Sequence, residues 1–356
     1  MRSNARKNII YSIVLLIAIM LVYSWRNRDQ SKTTLTETKE VEAGKMTLSG
    51  PTMGTTYNIT YLDKENRDLQ ESVDSLLKVF NLDLSTYIPE SELSKFNAGD
   101  TLDYSLPYLY PVLKASKKIY ENTNGAFDPT VGPLVNIWGF GPYGPELKDS
   151  VDIKELLKNV GFTKVDFDEK QVRKKLHGIY LDFSAIAKGY GSDVVASYLS
   201  SKGIENFLVE IGGEVMARGV NDKGELWKLG INRPEETANP TDLIGIIALQ
   251  DRGMATSGNY RNYYVRDSVR ISHTINPATG YPVQHSLLSA TVVAKDCMTA
   301  DAYATAMMVL GKDEAIALDE RLEEIEVFLI YDDGTGNFDT YISESLKPYL
   351  SFLSEK

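Results

Sequence analysis

Asp301 and Thr305 stand four residues apart in Thr299–Ala–Asp–Ala–Tyr–Ala–Thr–Ala306, a run of helix-compatible residues. Four residues is about one helical turn, so the carboxylate and the hydroxyl share a face. Two oxygen donors on one face suit a hard ion such as Mg²⁺, and suit equally a buried Asp–Thr hydrogen bond. His273 lies between a strand pattern and a Pro–Gly turn in Ser272–His–Thr–Ile–Asn–Pro–Ala–Thr–Gly280. Imidazole presented there can act as a general base, or can be a structural histidine. His177, beside Gly178, reads as a surface turn residue. Lys188 follows Asp182 and Ser184 in Leu181–Asp–Phe–Ser–Ala–Ile–Ala–Lys–Gly–Tyr–Gly191, which reads as a strand running into a helix N-terminus. Backbone N–H groups at such an end bind anions, and Lys188 adds a charge beside a phosphate, although the spacing is not that of a P-loop. The plain alternative is a solvated lysine.

Four further clusters carry polar groups on constrained backbone. Gly54, in Pro51–Thr–Met–Gly–Thr–Thr–Tyr57, reads as a bulge or as a close approach to a ligand. Asp128 is presented before a proline in Gly125–Ala–Phe–Asp–Pro–Thr–Val–Gly–Pro133, a rigid loop that fixes a polar contact or forms an Asx-turn. Gly212–Gly213 ends a strand and fits a bend near a ligand or a hairpin, and Thr256–Ser–Gly–Asn–Tyr260 precedes the His273 segment. In Leu84–Asn97, Pro89 is expected just inside a helix start with Glu90 and Glu92 in its first turn, and Tyr87 before it either stacks on a planar ring or packs.

The elements that must position these groups are mixed. Asn58–Leu62 alternates as a strand, and Asp68–Phe80 places Leu69, Val73, Leu76, Leu77 and Phe80 at helical spacing. Helices are expected over Leu106–Asn122, from the Asp152–x–x–Glu155 capping box to Gly161, over Ala185–Lys202 before Gly203, and over Met298–Leu310 and Glu314–Arg321. Asn206–Ile211 is a strand, and strands dominate from there through Val293. Strand and helix do not alternate strictly, so the fold class is α+β, one compact domain from residue 46 to 356.

Residues 9–25 form an apolar run behind Arg2, Arg6 and Lys7, about 25 Å long as a helix, the lower edge of a bilayer core. Val22–Tyr23–Ser24–Trp25 offers no small-residue cleavage pair. An uncleaved signal anchor is the expectation over a cleaved peptide, with residues 1–8 cytoplasmic, 26–45 a polar linker, and the domain outside the inner membrane. Of 38 basic and 49 acidic residues, five and one fall in residues 1–30, so the remainder carries −15. That charge is a poor match for a phosphate backbone and excludes nucleic acid as partner. A single cysteine, Cys297, excludes an intrachain disulfide and a multi-cysteine zinc site.

Taken in order, the clusters resemble the FAD:protein FMN transferases of the ApbE family. The matching stretches are Met53–Gly54–Thr55, the serine–tyrosine–glutamate stretch to Asn97, Gly125 to Pro129, Asp182 to Gly189, Gly212–Gly213, Thr256–Ser257–Gly258, His273 to Gly280 and Thr299 to Thr305. The resemblance implies an α+β fold, FAD as substrate and Mg²⁺ as cofactor. It implies FAD contacts from Met53, Tyr87, Ala126, Phe127, Asp128, Asp182, Lys188, His273 and Ile275. It further implies metal ligation by the Ala185 carbonyl with Asp301 and Thr305, and His273 as the base for an acceptor hydroxyl. A target flavoprotein with a Thr or Ser acceptor, facing the periplasm, is the implied partner, and AMP the leaving group. Asn276 stands where many members carry aspartate, and nothing past Leu310 matches a motif. Two other readings use the same residues: an FAD pyrophosphatase, with water in place of the hydroxyl, and a non-catalytic flavin-delivery protein.

Overall fold

Alternating and continuous apolar runs build one eight-stranded sheet whose strands lie side by side in the order in which the chain makes them. In the computed structural model the described residues are 43–141, 152–235, 242–259, 263–266 and 269–353. The expected anchor and most of the linker lie outside them. The strands are β1 (Gly44–Thr52), β2 (Thr55–Asp63), β3 (Asn206–Ile211), β4 (Glu214–Arg218), β5 (Arg252–Gly258), β6 (Leu287–Ala294), β7 (Ile325–Asp332) and β8 (Phe338–Ile342). Every neighbouring pair is antiparallel. A small sheet of the strands 227–232, 243–249 and 350–352 is separate, as are the strands 101–103, 165–167 and 171–174.

Both faces of the central strands are covered, which is why β6 is buried at seven of its eight positions rather than at alternate ones. Successive side chains of a strand point to opposite faces. Ala290, Val292 and Ala294 of β6, with Val327 and Leu329 of β7, therefore join the helices, while Val293, Phe328 and Ile330 meet Trp227, Ile231, Ile247 and Leu249 of the small sheet.

The helices are α1 (Gln70–Leu84), α2 (Glu92–Ala98), α3 (Leu109–Asn122), α4 (Gly132–Ile137), α5 (Ile153–Leu157), α6 (Ala187–Ser201), α7 (Cys297–Leu310) and α8 (Lys312–Arg321). The α+β expectation stands. The C-terminal stretch past Leu310, which offered no motif, supplies α8 and two strands of the main sheet.

Packing between α6 and α7 is close enough to depend on missing side chains. A Cβ on Gly189 would lie 2.3 Å from the Cys297 carbonyl oxygen, and one on Gly253 of β5 would lie 2.3 Å from the Cys297 nitrogen. Asp193 of α6 accepts from the backbone N–H of Cys297 at 2.9 Å and of Met298 at 2.8 Å, and Asp296 caps the same end through Thr299 N–H. Two carboxylates thus satisfy donors that a helix start leaves free.

Local expectations needed revision in three places. Met53 and Gly54 are the two-residue turn of the β1–β2 hairpin, both with positive φ, as a type I′ turn requires, so Gly54 makes no bulge. Gly212 and Gly213, at φ 60° and 101°, form the β3–β4 hairpin turn, one of the two expected readings. Pro89 and Glu90 precede α2 instead of opening it, because Ser91 is its N-cap and accepts from Ser94 N–H at 3.0 Å. Leu181–Phe183 belongs to no strand or helix. Asn97 of α2 clamps both the N–H and the carbonyl of Leu181, and the Pro129 carbonyl accepts from Asp182 N–H.

Candidate active site

One charged residue of α7 is out of place for its surroundings. Ten of the helix's fourteen residues are buried, Asp301 among them, and a lone buried carboxylate is costly unless something compensates it. Asp301 Oδ2 accepts from the Gly189 N–H at 3.0 Å, so the close approach of α6 that Gly189 permits also delivers a donor. Lys188, the second residue of α6, pairs with Glu214 at the start of β4. Asp301 and Thr305 do not bond each other. Thr305 Oγ1 instead lies 3.3 Å from Ser257 Oγ on β5.

The charges do not balance, with two buried acids facing one lysine. Burial raises the Asp301 pKa against the pull of Lys188 and the Gly189 N–H. Burial and the Asp301 charge push Glu214 up to about 8. Burial works against the Lys188 ammonium, yet Asp301 and Glu214 outweigh it and hold the lysine charged. Glu214 Oε2 is buried with no hydrogen-bond partner. A site with surplus acid, oxygen donors and an orphaned carboxylate oxygen is short of positive charge, and its donor set fits a hard divalent cation.

These groups line a cleft of about 520 Å³, and the cleft collects ten of the twelve residues that the sequence singled out: Ala126, Phe127, Asp128, Asp182, Ala185, Lys188, His273, Ile275, Asp301 and Thr305. The loop before α4 supplies Ala126 to Asp128. Asp128 Oδ1 accepts from the Thr130 N–H at 2.8 Å and hydroxyl at 2.6 Å, so the Asx-turn is formed and the residue still faces the cleft. Burial, opposed by Thr130, raises its pKa to about 6. Asp182 is raised by burial against the pull of Ser184, whose N–H it accepts at 2.8 Å.

His273 follows the strand Val269–Ser272, and its ring meets Phe140 edge-on at 6.2 Å. The loop after it is closed by Asn276, whose side-chain oxygen accepts from Ala278 and Thr279 N–H while its backbone pairs with Tyr281 and Gly280. Asn276 therefore works here as a turn former. His177 is exposed and bonds Asp100, in keeping with a surface role.

Met53 and Tyr87 do not line the cleft. The Met53 side chain packs toward Gly191 of α6, where a Cβ would come within 2.6 Å of it, and so ties the β1–β2 turn to the helix bearing Lys188. Tyr87 is 66% exposed; partial burial of its phenol and the Asp182 charge raise its pKa. Glu214, Thr256, Ser257 and Phe140 line the cleft but were not among the twelve. The signal for Glu214 was the Gly–Gly turn before it, which places a following side chain firmly. For Phe140 there was none.

Comparison with known proteins agrees with this architecture. The ApbE family model matches residues 53–329. The FAD:protein FMN transferase of Vibrio cholerae is 42% identical over 321 residues, covering 88% of this chain and 95% of that protein. That of Escherichia coli K12 is 35% identical, covering 87% and 90%. The solved structure of the flavin transferase ApbE from Vibrio cholerae superposes with a TM-score of 0.76 at 40% identity, covering 86% of this chain and 99% of that one. The apo flavinyl transferase ApbE of Pseudomonas stutzeri gives 0.76 at 33%, covering 86% and 97%. With its motifs gathered in one cleft and its sheet shared with these structures, the chain belongs to the ApbE family.

Proposed function

We propose that the chain moves FMN from FAD onto a hydroxyl of a target protein, using Mg²⁺ and releasing AMP. The relatives' activity supports the transfer itself. The observation that carries the finer reading is the buried Lys188–Glu214–Asp301 cluster beside the Ser257 and Thr305 hydroxyls. The cleft also has two kinds of lining that suit two parts of FAD: Phe127, Val131, Val135, Phe140 and Ile275 for the flat flavin ring system, and the charged cluster for the pyrophosphate.

Asp301, Thr305 and the Ala185 carbonyl would hold the cation, with Glu214 adjacent. When bound, Mg²⁺ neutralises charge on the pyrophosphate oxygens. Lys188 supplies a second positive group held in place by its acid partners. The acceptor hydroxyl oxygen bonds to the FMN-side phosphorus. The bond from that phosphorus to the bridging oxygen breaks, and AMP leaves with the electron pair. His273 takes the hydroxyl proton. Phosphoryl transfer of this kind rests on positioning and charge stabilisation, which the rigid loops and helix ends provide.

The anchor expected at residues 9–25 supports placing the domain on the periplasmic side of the inner membrane, with a periplasmic or membrane flavoprotein as target. The test combines the full chain, FAD, Mg²⁺ and a flavin-free threonine-bearing flavoprotein, followed by in-gel flavin fluorescence after denaturation. Fluorescence on the acceptor is the expected result. AMP release with a dark acceptor would instead make the protein a pyrophosphatase, and FAD binding without AMP a delivery protein.

A further inference from the structure

The main sheet has a notch beside the cleft. β4 pairs with β5 only through Arg252, Gly253 and Met254, whereas β5 runs on to Gly258. Beyond Met254, β4 has given way to the Gly212–Gly213 turn. Among the described residues, Ala255–Gly258 therefore has no strand on that side, although it stays paired with β6 on the other. The strand Trp227–Asn232 is also an edge, pairing only with 243–249 among the described residues.

Both edges border a groove of about 280 Å³, lined by Gly230, Ile231 and Asn232 on one side and Met254, Thr256 and Gly258 on the other, with Gly212 and Gly213 at its end. Met254 packs with the small sheet and Ala255 with the helices, so the groove side of β5 is the face away from α7. Gly212, Thr256 and Gly258 line the groove and the cleft alike. The groove on the far face of the sheet thus adjoins the cleft that holds Lys188. Four of its eight lining residues are glycine, and a Cβ on Gly213 would meet nothing within 4 Å.

We infer that this groove receives the acceptor as an extended polypeptide segment, added as a strand along the free edge of Thr256–Gly258 with its hydroxyl side chain passing Gly212–Gly213 into the cleft. The inference rests on the transferase reading and adds where the protein substrate docks. Unpaired strand backbone binds extended peptides through main-chain hydrogen bonds, and glycine walls leave room for one. A nucleotide offers no row of amides to such an edge. A polypeptide does.

Cys297 is buried, so Gly230→Cys gives the full chain one accessible thiol. A Cβ there comes nearest the two Leu243 methyls, at 2.6 and 2.8 Å, and that flexible end can turn aside. The variant is compared with itself before and after reaction with a bulky maleimide, using FAD, Mg²⁺ and a flavin-free threonine-bearing flavoprotein. Alkylation is expected to lower FMN transfer more than tenfold while FAD affinity by titration stays within twofold. Alkylated Lys117→Cys, on α3, should change neither. Asn232→Cys replaces Gly230→Cys if the latter does not fold. Transfer unaffected by alkylation, or lost together with FAD affinity, overturns the docking groove. Unmodified protein that binds FAD but flavinylates nothing overturns the transferase reading, and the groove's occupant with it.

Discussion

At the scale of single residues, each buried charge in the cleft has a task that its surroundings define. As the proposed base, His273 would act on the attacking hydroxyl and contribute little to holding a dinucleotide. His273→Ala should therefore lower the transfer rate by about 10²–10⁴-fold while FAD affinity changes little. Rate measured against titrated FAD affinity checks this, and poor binding with a normal rate would give His273 a binding role. Asp301→Ala removes one of two acids facing Lys188 and leaves the Lys188–Glu214 pair balanced. The fold should survive and, with Asp301 as the proposed Mg²⁺ ligand, activity should vanish at Mg²⁺ concentrations that saturate the native protein, because that ion holds poorly when a ligand is lost. A magnesium titration of AMP release, beside a melting curve, tests both halves.

At the scale of elements, the cleft depends on contacts that permit no added volume. Gly189→Ala puts a methyl against the Cys297 carbonyl, so α6 and α7 must part and Asp301 loses its backbone donor. Overpacking of this kind costs about 1–3 kcal/mol, and here FAD affinity should fall together with denaturant stability. A second junction ties α1, α2 and α3. Asp83 accepts from Tyr108 and Leu109 N–H at the start of α3, and burial, with the nearby Glu92, pushes its pKa up to about 7. A raised acid keeps its proton in the folded state after the unfolded chain has released it. Its contribution therefore falls as pH rises from about 4 to about 7. Asp83→Asn should flatten that slope by at most about 1.4 kcal/mol per pH unit, read from denaturant melts of the ligand-free protein across the window. Helices and strands of this kind were legible where periodicity was strong, as in Asn206–Ile211, whose bounds match the sequence reading. Leu181–Phe183 misled because its apolar pattern is held by Asn97, a partner 84 residues away that no local pattern reveals. Tyr87 and Met53 were legible as neighbours of the site without being legible as standing off its wall. Glu214 escaped because its importance comes from meeting Lys188 and Asp301 across the fold.

At the scale of the whole molecule, strand order follows chain order, but the spacing is uneven. β3 to β8 follow one another through shorter connections, whereas β2 and β3 pair residues about 150 positions apart, with α1 to α6 between them. Closing a loop of that length is the more expensive pairing, though its cost grows only slowly with length. The β1–β2 hairpin lies at the sheet's margin, and the Met53 turn joins it to α6. Native-state hydrogen exchange should therefore find the amides of β1 and β2 opening at lower free energy than those of β5 to β7, as a unit that detaches first. Equal protection across the sheet would refute this. Because the Met53 turn leans on the helix carrying Lys188, bound FAD should slow exchange in that hairpin as well, and the amides farthest out along the sheet would then report on whether its central cleft is filled.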